Sequence, residues 1–182
     1  IYDQMKKLIY FLAVAMAAVS CIGNNPFFAE WETPYGIPDF DAVKEKHYLP
    51  AVVVGIAQQQ AEIEAIIANT EEPTFANVVE AYEKSGAILD RVTGVLFNLS
   101  ETDATPSLQA IVEEVLPQLS AHSDNIFMNA DFFKKVEVLY NDMENLGLNQ
   151  EQKMVLKKLY NSFVKNGIAL GEAEQARMRE IN

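Results

Sequence analysis

Apolar side chains recur at steps of three and four residues through most of the chain after residue 47, and this spacing is typical of helices with one buried face. No convincing alternation of period two, the pattern of a strand, interrupts it. The first such stretch runs from Tyr48 to Ala68, and its apolar positions are Leu49, Val52, Val53, Ile56, Ile63, Ile66 and Ile67. The pattern predicts an all-α, multi-helix domain over residues 47–182.

Side chains that start and stop helices divide this pattern into six predicted helices. Thr74 is expected to cap a second helix whose single apolar seam continues to Leu99. The later helices are expected to start at Thr105-Pro106, at Asn129 or Asp131, at Asn149 with Gln152 as a capping box, and near Gly171. Pro117 is expected to kink the third helix. The sixth has no glycine, proline or cap before Asn182, which predicts a chain cut inside a helix, as in an amino-terminal fragment.

Residues 21–46 lack the helical period and are predicted to form an extended arm. Its interruptions are Pro26, Pro34, Gly36 and Pro38, and its aromatic residues are Phe27, Phe28, Trp31, Tyr35 and Phe40. Five aromatic side chains would expose much apolar surface in water, so the arm is expected to pack across the helical body. A flexible tether is the alternative.

The first residues have the pattern of an export signal. Lys6 and Lys7 precede the uncharged run from Leu8 to Val19, whose 12 residues fall short of the roughly 20 that span a bilayer. The segment Ala18-Val19-Ser20-Cys21 resembles the lipobox of bacterial lipoproteins. We therefore expect residues 1–20 to be a signal peptide with upstream residues, and Cys21 to carry a lipid that anchors an exported protein to a bacterial envelope membrane. The alternative is that Cys21 is an incidental buried thiol.

Composition narrows the partners and the chemistry. The 182 residues carry 26 acidic and 14 basic side chains, a net charge of −12, which argues against nucleic acid as a partner. One cysteine excludes an internal disulfide and a paired-cysteine zinc site.

No arrangement of reactive side chains predicts catalysis. His47, expected at the start of the first helix, and His122, expected on the polar side of the third, lie outside any H-E-x-x-H motif. The run His122-Ser123-Asp124 has triad residue types, but neighbours on a helix point about 100° apart. Charged surface positions are expected at Glu71, Glu72, Glu113, Glu114, Glu172 and Glu174, and close helix packing at Gly86 and Gly94. We therefore predict no catalytic, cofactor-binding or metal-binding residue in this chain.

Six segments in order nevertheless resemble one family. They are Asn25-Pro26-Phe27-Phe28, Pro38-Asp39-Phe40-Asp41, His47 to Ala51, Pro73 to Asn77 with Glu83 to Gly86 and Leu89 to Val92, Leu119 to Ile126, and Phe163 to Gly167. Together they resemble the amino-terminal part of the thimet oligopeptidase family of zinc metallopeptidases, nearest to its bacterial peptidyl-dipeptidase branch.

The resemblance implies an all-helical fold in which two halves flank a channel for short, unstructured peptides. Residues 47–182 would form one wall of that channel and restrict access to it. The zinc, held by an H-E-x-x-H helix, would lie in a missing carboxy-terminal catalytic half, so that this chain would bind none and would be inactive alone. The peptidyl-dipeptidase branch releases carboxy-terminal dipeptides. The alternatives are a free-standing helical lipoprotein that binds peptides or a partner protein, and a structural bundle without a ligand.

Overall fold

A computed structural model describes residues 25–181, and every regular element within them is helical. The helices are α1 Tyr48–Ala68, α2 Ala81–Glu83, α3 Ala87–Thr102, α4 Pro106–Phe127, α5 Ala130–Asn141, α6 Gln150–Lys165 and α7 Glu172–Ile181. A π-helical turn, Phe75–Glu80, leads into α2, and 3₁₀ turns lie at Pro26–Phe28, Pro34–Gly36 and Glu45–His47. The predicted all-α class is confirmed. The predicted signal peptide and Cys21 lie outside the described residues.

The predicted caps are confirmed. Each accepts hydrogen bonds from backbone N–H groups that the first helical turn leaves unpaired. Thr74 Oγ1 accepts from the N–H of Asn77 at 3.1 Å, and Asn77 Oδ1 accepts from the N–H of Thr74 at 2.7 Å. Asn149 and Gln152 form the same reciprocal pair at 2.9 and 3.0 Å. Asn129 caps α5 by accepting two N–H bonds from its first turn.

The single long helix expected after Thr74 is wrong. Helix α2 ends at Glu83, and Gly86 has φ of +76°, a left-handed conformation that cannot continue a right-handed helix. Helix α3 begins directly afterwards at Ala87. The interruption covers residues 84–86, close to one helical turn, so the apolar spacing passes through it almost unchanged.

The described chain divides into two compact units, and the first comprises residues 25–55 and Ile88–Val115. Its most buried apolar side chains are Phe27, Tyr48, Ala51, Val52, Val92, Leu96 and Val115. Phe27 is fully buried, and its ring centroid lies 5.3 Å from that of Tyr48. The 3₁₀ turn that carries Phe27 is therefore part of the core of this unit.

The arm is fixed at its beginning and exposed further along. Arg91 Nη1 donates to the carbonyl oxygens of Phe27 and Ala29 at 3.1 and 2.9 Å, and its guanidinium carbon lies 5.2 Å from the Trp31 ring centroid. By contrast, the Tyr35 side chain is fully exposed and that of Phe40 is half exposed. The expectation that the aromatic residues pack across helices is wrong for these two.

The second unit comprises Ile56–Ala87 and residues 116–181. Its core is a cluster whose buried members are Ile63, Ile66, Val78, Val79, Ile126, Phe132, Val136, Leu139, Leu156, Leu159 and Phe163. The rings of Phe132 and Phe163 meet edge to face with centroids 5.2 Å apart, an arrangement that aromatic pairs favour. Helices α5 and α6 thus each bury one apolar face, as expected of helices with apolar side chains at steps of three and four residues.

Among the described residues, Glu45–Ala68 is long and apolar enough to cross a membrane by length and composition alone. Helices packed in protein cores meet the same two criteria. Val52 and Ile63 in this stretch are almost fully buried within the chain, whereas Val53 is half exposed.

Candidate functional site

Two of the segments that carry the family resemblance converge on one side chain of α1. His122 Nε2, from α4, lies 2.8 Å from Gln59 Oε1, and Gln59 Nε2 donates to Ser85 Oγ at 3.3 Å. The Ser85 hydroxyl in turn donates to the carbonyl oxygen of Tyr82 at 2.7 Å. We call Gln59, Tyr82, Ser85 and His122 the Gln59 network. Its hydrogen bonds join α1, α4 and the break between α2 and α3.

The break beside the network requires glycine. The Gly86 N–H donates to Glu62 Oε2 at 2.8 Å, and a Cβ atom at this position would lie 2.4 Å from Gln59 Nε2. Gly86 therefore does permit a close approach, as expected, but in a left-handed turn rather than within a helix. The expectation is wrong for Gly94, where an added Cβ would meet no atom within 4 Å. The glycine of a close helix contact is Gly55, whose added Cβ would lie 2.9 Å from the Leu89 backbone.

His122 is buried, contrary to its expected place on the polar side of its helix. Only 5% of it is exposed, and burial lowers its pKa because the charged imidazolium would lose its water. The neutral ring then carries one N–H, and the network assigns that proton to Nε2, since Gln59 uses its amide group to donate to Ser85. His122 thus serves as a hydrogen-bonding cross-link, and this geometry gives it no nucleophile to activate.

His47 lies directly before α1, as predicted, and is used in a local turn. Its Nδ1 accepts from the backbone N–H of Lys44 at 3.0 Å, and its carbonyl oxygen accepts from Asn25 Nδ2 at 2.8 Å. Burial, followed by the positive charges of Lys46 and Lys44, lowers the pKa of the imidazole. His47 therefore stabilises the junction of the arm with α1.

The zinc implied by the resemblance does not fit the described residues. Within residues 25–181, no group of three or more His, Cys, Asp or Glu side chains is arranged to hold a metal ion. Both described histidines are engaged as above, and the predicted surface positions Glu71, Glu72 and Glu113 are exposed. We therefore assign no step of metal chemistry to these side chains.

A groove of about 840 Å³ lies along α4 at its internal proline. Its lining includes Leu116, Pro117, Ala121, Asn125 and Arg179, so the helical segment that carries His122 presents another face to this groove. The helix continues through Pro117 from Pro106 to Phe127. Leu116 is half exposed there. The groove offers an apolar surface with an amide and a guanidinium beside it.

Comparison of the amino-acid sequence with known proteins shows similarity over more than four fifths of the chain. No family model matches the chain. The chain is 34% identical to the dipeptidyl carboxypeptidase of Salmonella typhimurium over 161 residues, which is 88% of this chain and 24% of that protein. It is 34% identical to the Escherichia coli dipeptidyl carboxypeptidase over 158 residues, 87% of this chain and 23% of that protein. It is 26% identical to the Salmonella typhimurium oligopeptidase A over 149 residues, 82% of this chain and 22% of that protein.

The chain therefore spans about a quarter of the length of the curated relatives it matches. The matched quarter is their amino-terminal part, in agreement with the order of the six sequence segments. These similarities confirm the predicted resemblance: most of the chain matches the amino-terminal part of peptidases of the thimet oligopeptidase family.

Proposed function

We propose that this chain is the amino-terminal helical domain of an exported zinc metallopeptidase that releases carboxy-terminal dipeptides from short peptides. The observation that carries the proposal is the 34% identity to two dipeptidyl carboxypeptidases over more than four fifths of the chain. The identity to an oligopeptidase A is lower, at 26%, and this difference favours dipeptide release as the activity of the complete protein.

The role of the domain in this proposal is to shape the access of substrates. An extended peptide lying in the groove beside α4 would find apolar contacts at Leu116 and Pro117 and hydrogen-bonding groups at Asn125 and Arg179. A folded protein has few unpaired backbone groups to offer such a surface, whereas an unstructured peptide offers one donor and one acceptor per residue. The groove therefore supports selection for short, unstructured peptides.

In this proposal the catalytic zinc would be held in the three quarters of the protein that correspond to the unmatched length of the relatives, since the side chains of residues 25–181 do not fit it. In this proposal the chain alone binds no catalytic zinc and cleaves no peptide. Export and a lipid on Cys21 remain part of the proposal on the basis of the lipobox resemblance.

The test is a comparison of the complete gene product with residues 1–182, using a tetrapeptide blocked at its amino terminus. We expect the complete product to release the carboxy-terminal dipeptide, to lose this activity on metal chelation and to regain it with zinc, while the 182-residue chain releases none. Metal-dependent hydrolysis by the 182-residue chain would contradict the assigned roles. A gene that stops after the codon for Asn182 would favour the free-standing helical lipoprotein instead.

The lipid anchor is tested separately by metabolic labelling with a radioactive fatty acid. Label should enter the natural protein in a bacterial host and be absent from Cys21→Ala, with Lys134→Ala as a labelled control. Equal labelling of both variants, or of neither the control nor the natural protein, would contradict acylation at Cys21.

A further inference from the structure

A second cavity, of about 520 Å³, lies in the first unit where α1 begins. We call it the Tyr48 pocket. Val43, Leu99 and Leu108 supply its apolar lining, and Lys44, Lys46, Tyr48 and Asp103 are among its polar side chains. Its volume lies within the range of pockets that bind small molecules. None of the sequence motifs or the similarities described above assigns it a role.

The hydroxyl of Tyr48 has no hydrogen-bond partner among the residues that the structure describes. Tyr48 is 2% exposed and its ring packs on Phe27, yet no group among residues 25–181 hydrogen-bonds its hydroxyl. Every fully enclosed side-chain nitrogen or oxygen in this part of the chain has a hydrogen-bond partner. The Tyr48 hydroxyl has none there, so it is not fully enclosed, and the small exposed area of Tyr48 includes this oxygen beside the pocket. A nearly buried hydroxyl without a partner is costly, so it is a group that a ligand would satisfy.

Burial and the charge of Glu45 raise the pKa of the Tyr48 hydroxyl. The hydroxyl therefore remains protonated and able to donate. Glu45 itself is engaged, because its carboxylate accepts from the hydroxyls of Thr105 and Ser107. A ligand that accepts a hydrogen bond from the Tyr48 hydroxyl would therefore not have to displace the Glu45 carboxylate.

The remaining charged side chains of the pocket have both signs, and no salt bridge in the described part of the chain includes them. Lys44, Lys46 and Asp103 take part in no ion pair within residues 25–181. Two ammonium groups and one hydroxyl donor suit a carboxylate, whereas one carboxylate suits an ammonium group. A ligand that carries both charges and an apolar body complements this lining.

We propose that the Tyr48 pocket binds free short peptides through their charged ends. The peptide carboxylate would lie near Lys44, Lys46 and the Tyr48 hydroxyl, the amino terminus near Asp103, and the side chains against the apolar lining. The inference rests on the proposed function in one respect, namely that dipeptides are what the complete enzyme would release. Binding itself requires no catalysis and is measured independently of it.

The test titrates the full 182-residue chain, labelled with ¹⁵N, with alanyl-leucine and follows amide resonances by NMR. We expect saturable shifts confined to residues around the pocket. The same peptide with an acetylated amino terminus and an amidated carboxy terminus should bind at least about tenfold more weakly, because it lacks both charges. Lys44→Ala combined with Lys46→Ala should weaken binding by about tenfold or more. Tyr48→Phe should weaken it by about fivefold.

Tyr48→Phe is the decisive variant because it removes a hydroxyl that no group among residues 25–181 hydrogen-bonds, so that no bond within this part of the chain is lost. Lys134→Ala, which removes an exposed lysine of the other unit, is the matched control and should bind like the natural chain. Absence of saturable shifts, equal binding of the blocked peptide, or unchanged affinity in Tyr48→Phe would each overturn the proposal. None of these results bears on whether the complete gene product releases dipeptides, which its own hydrolysis assay decides.

Discussion

Replacing Gly86 with alanine tests whether the Gln59 network depends on a left-handed glycine. An alanine held at φ of +76° costs about 1–2 kcal/mol relative to glycine. Its Cβ atom would also lie 2.4 Å from Gln59 Nε2, so the Gln59 side chain must move. Loss of its hydrogen bonds to His122 and Ser85 adds about 1 kcal/mol each. We expect Gly86→Ala to lower the free energy of unfolding by about 3–4 kcal/mol.

Gly94 provides a matched control eight positions further along. It lies inside α3, is exposed, and an added Cβ would meet nothing within 4 Å. Alanine should stabilise an open helical position by roughly 0.5–1 kcal/mol, so the same substitution should act with opposite sign at the two glycines. Urea unfolding followed by far-ultraviolet circular dichroism measures both changes.

A double-mutant cycle separates backbone strain from the collision with Gln59. In a Gln59→Ala background the obstructing amide is gone, and Gly86→Ala should then cost only the strain of about 1–2 kcal/mol. The reasoning would be refuted if Gly86→Ala were as stable as the natural chain. It would equally be refuted if the cost of Gly86→Ala were the same with and without Gln59.

Two further predictions concern polar side chains that hold distant parts of the chain together. Burial lowers the pKa of His122 below its ordinary 6.5, so the unfolded chain takes up a proton at a higher pH than the folded chain does. The stability that this histidine contributes above about pH 6.5 should therefore fall as the pH drops toward the pKa of the folded state. Urea unfolding should show a smaller loss of stability between about pH 7 and pH 5 for His122→Gln than for the natural chain, and an equal loss would contradict a buried, neutral His122. Arg91→Lys keeps the charge but loses the hydrogen bonds to the carbonyl oxygens of Phe27 and Ala29. The fluorescence emission of Trp31, the single tryptophan, should therefore shift to the red, and the free energy of unfolding should fall by about 1–2 kcal/mol. Arg177→Lys, the control, should change neither quantity, and an unshifted spectrum for Arg91→Lys would show that Arg91 does not hold the arm.

Helix starts were predictable from the sequence because a cap is a local device. Thr74 and Asn77 form their reciprocal bonds within four residues, so the residue types alone indicate the geometry. The helix break at Gly86 was not predictable from the apolar period, because an interruption of about one turn keeps the period in phase. A Ser-Gly pair inside a helical pattern was the available signal, since glycine is the residue that most readily adopts positive φ.

The polar contacts within each unit were not predictable, because they join residues far apart in sequence. Gln59 and His122 are 63 positions apart, and nothing in the period of either helix marks them as partners. The Tyr48 pocket has the same origin, because its lining combines the start of α1 with Leu99 and Asp103. Periodicity predicts which face of a helix is buried, but it does not predict which polar side chain on that face will find a partner.

The family resemblance of this chain rests on residues that build shape, and this limits what the resemblance says about specificity. Ser85 and Gly86 form the break after α2, while His122 holds it to α1 through Gln59. A dipeptidyl carboxypeptidase and an oligopeptidase A both align with most of the chain, at 34% and 26% identity. Hydrogen bonds that hold helices together do not select where a peptide bond is cut, so this network does not distinguish the two relatives. In the proposed function, the groove side chains Asn125 and Arg179, rather than the Gln59 network, would be groups of this domain that contact a peptide.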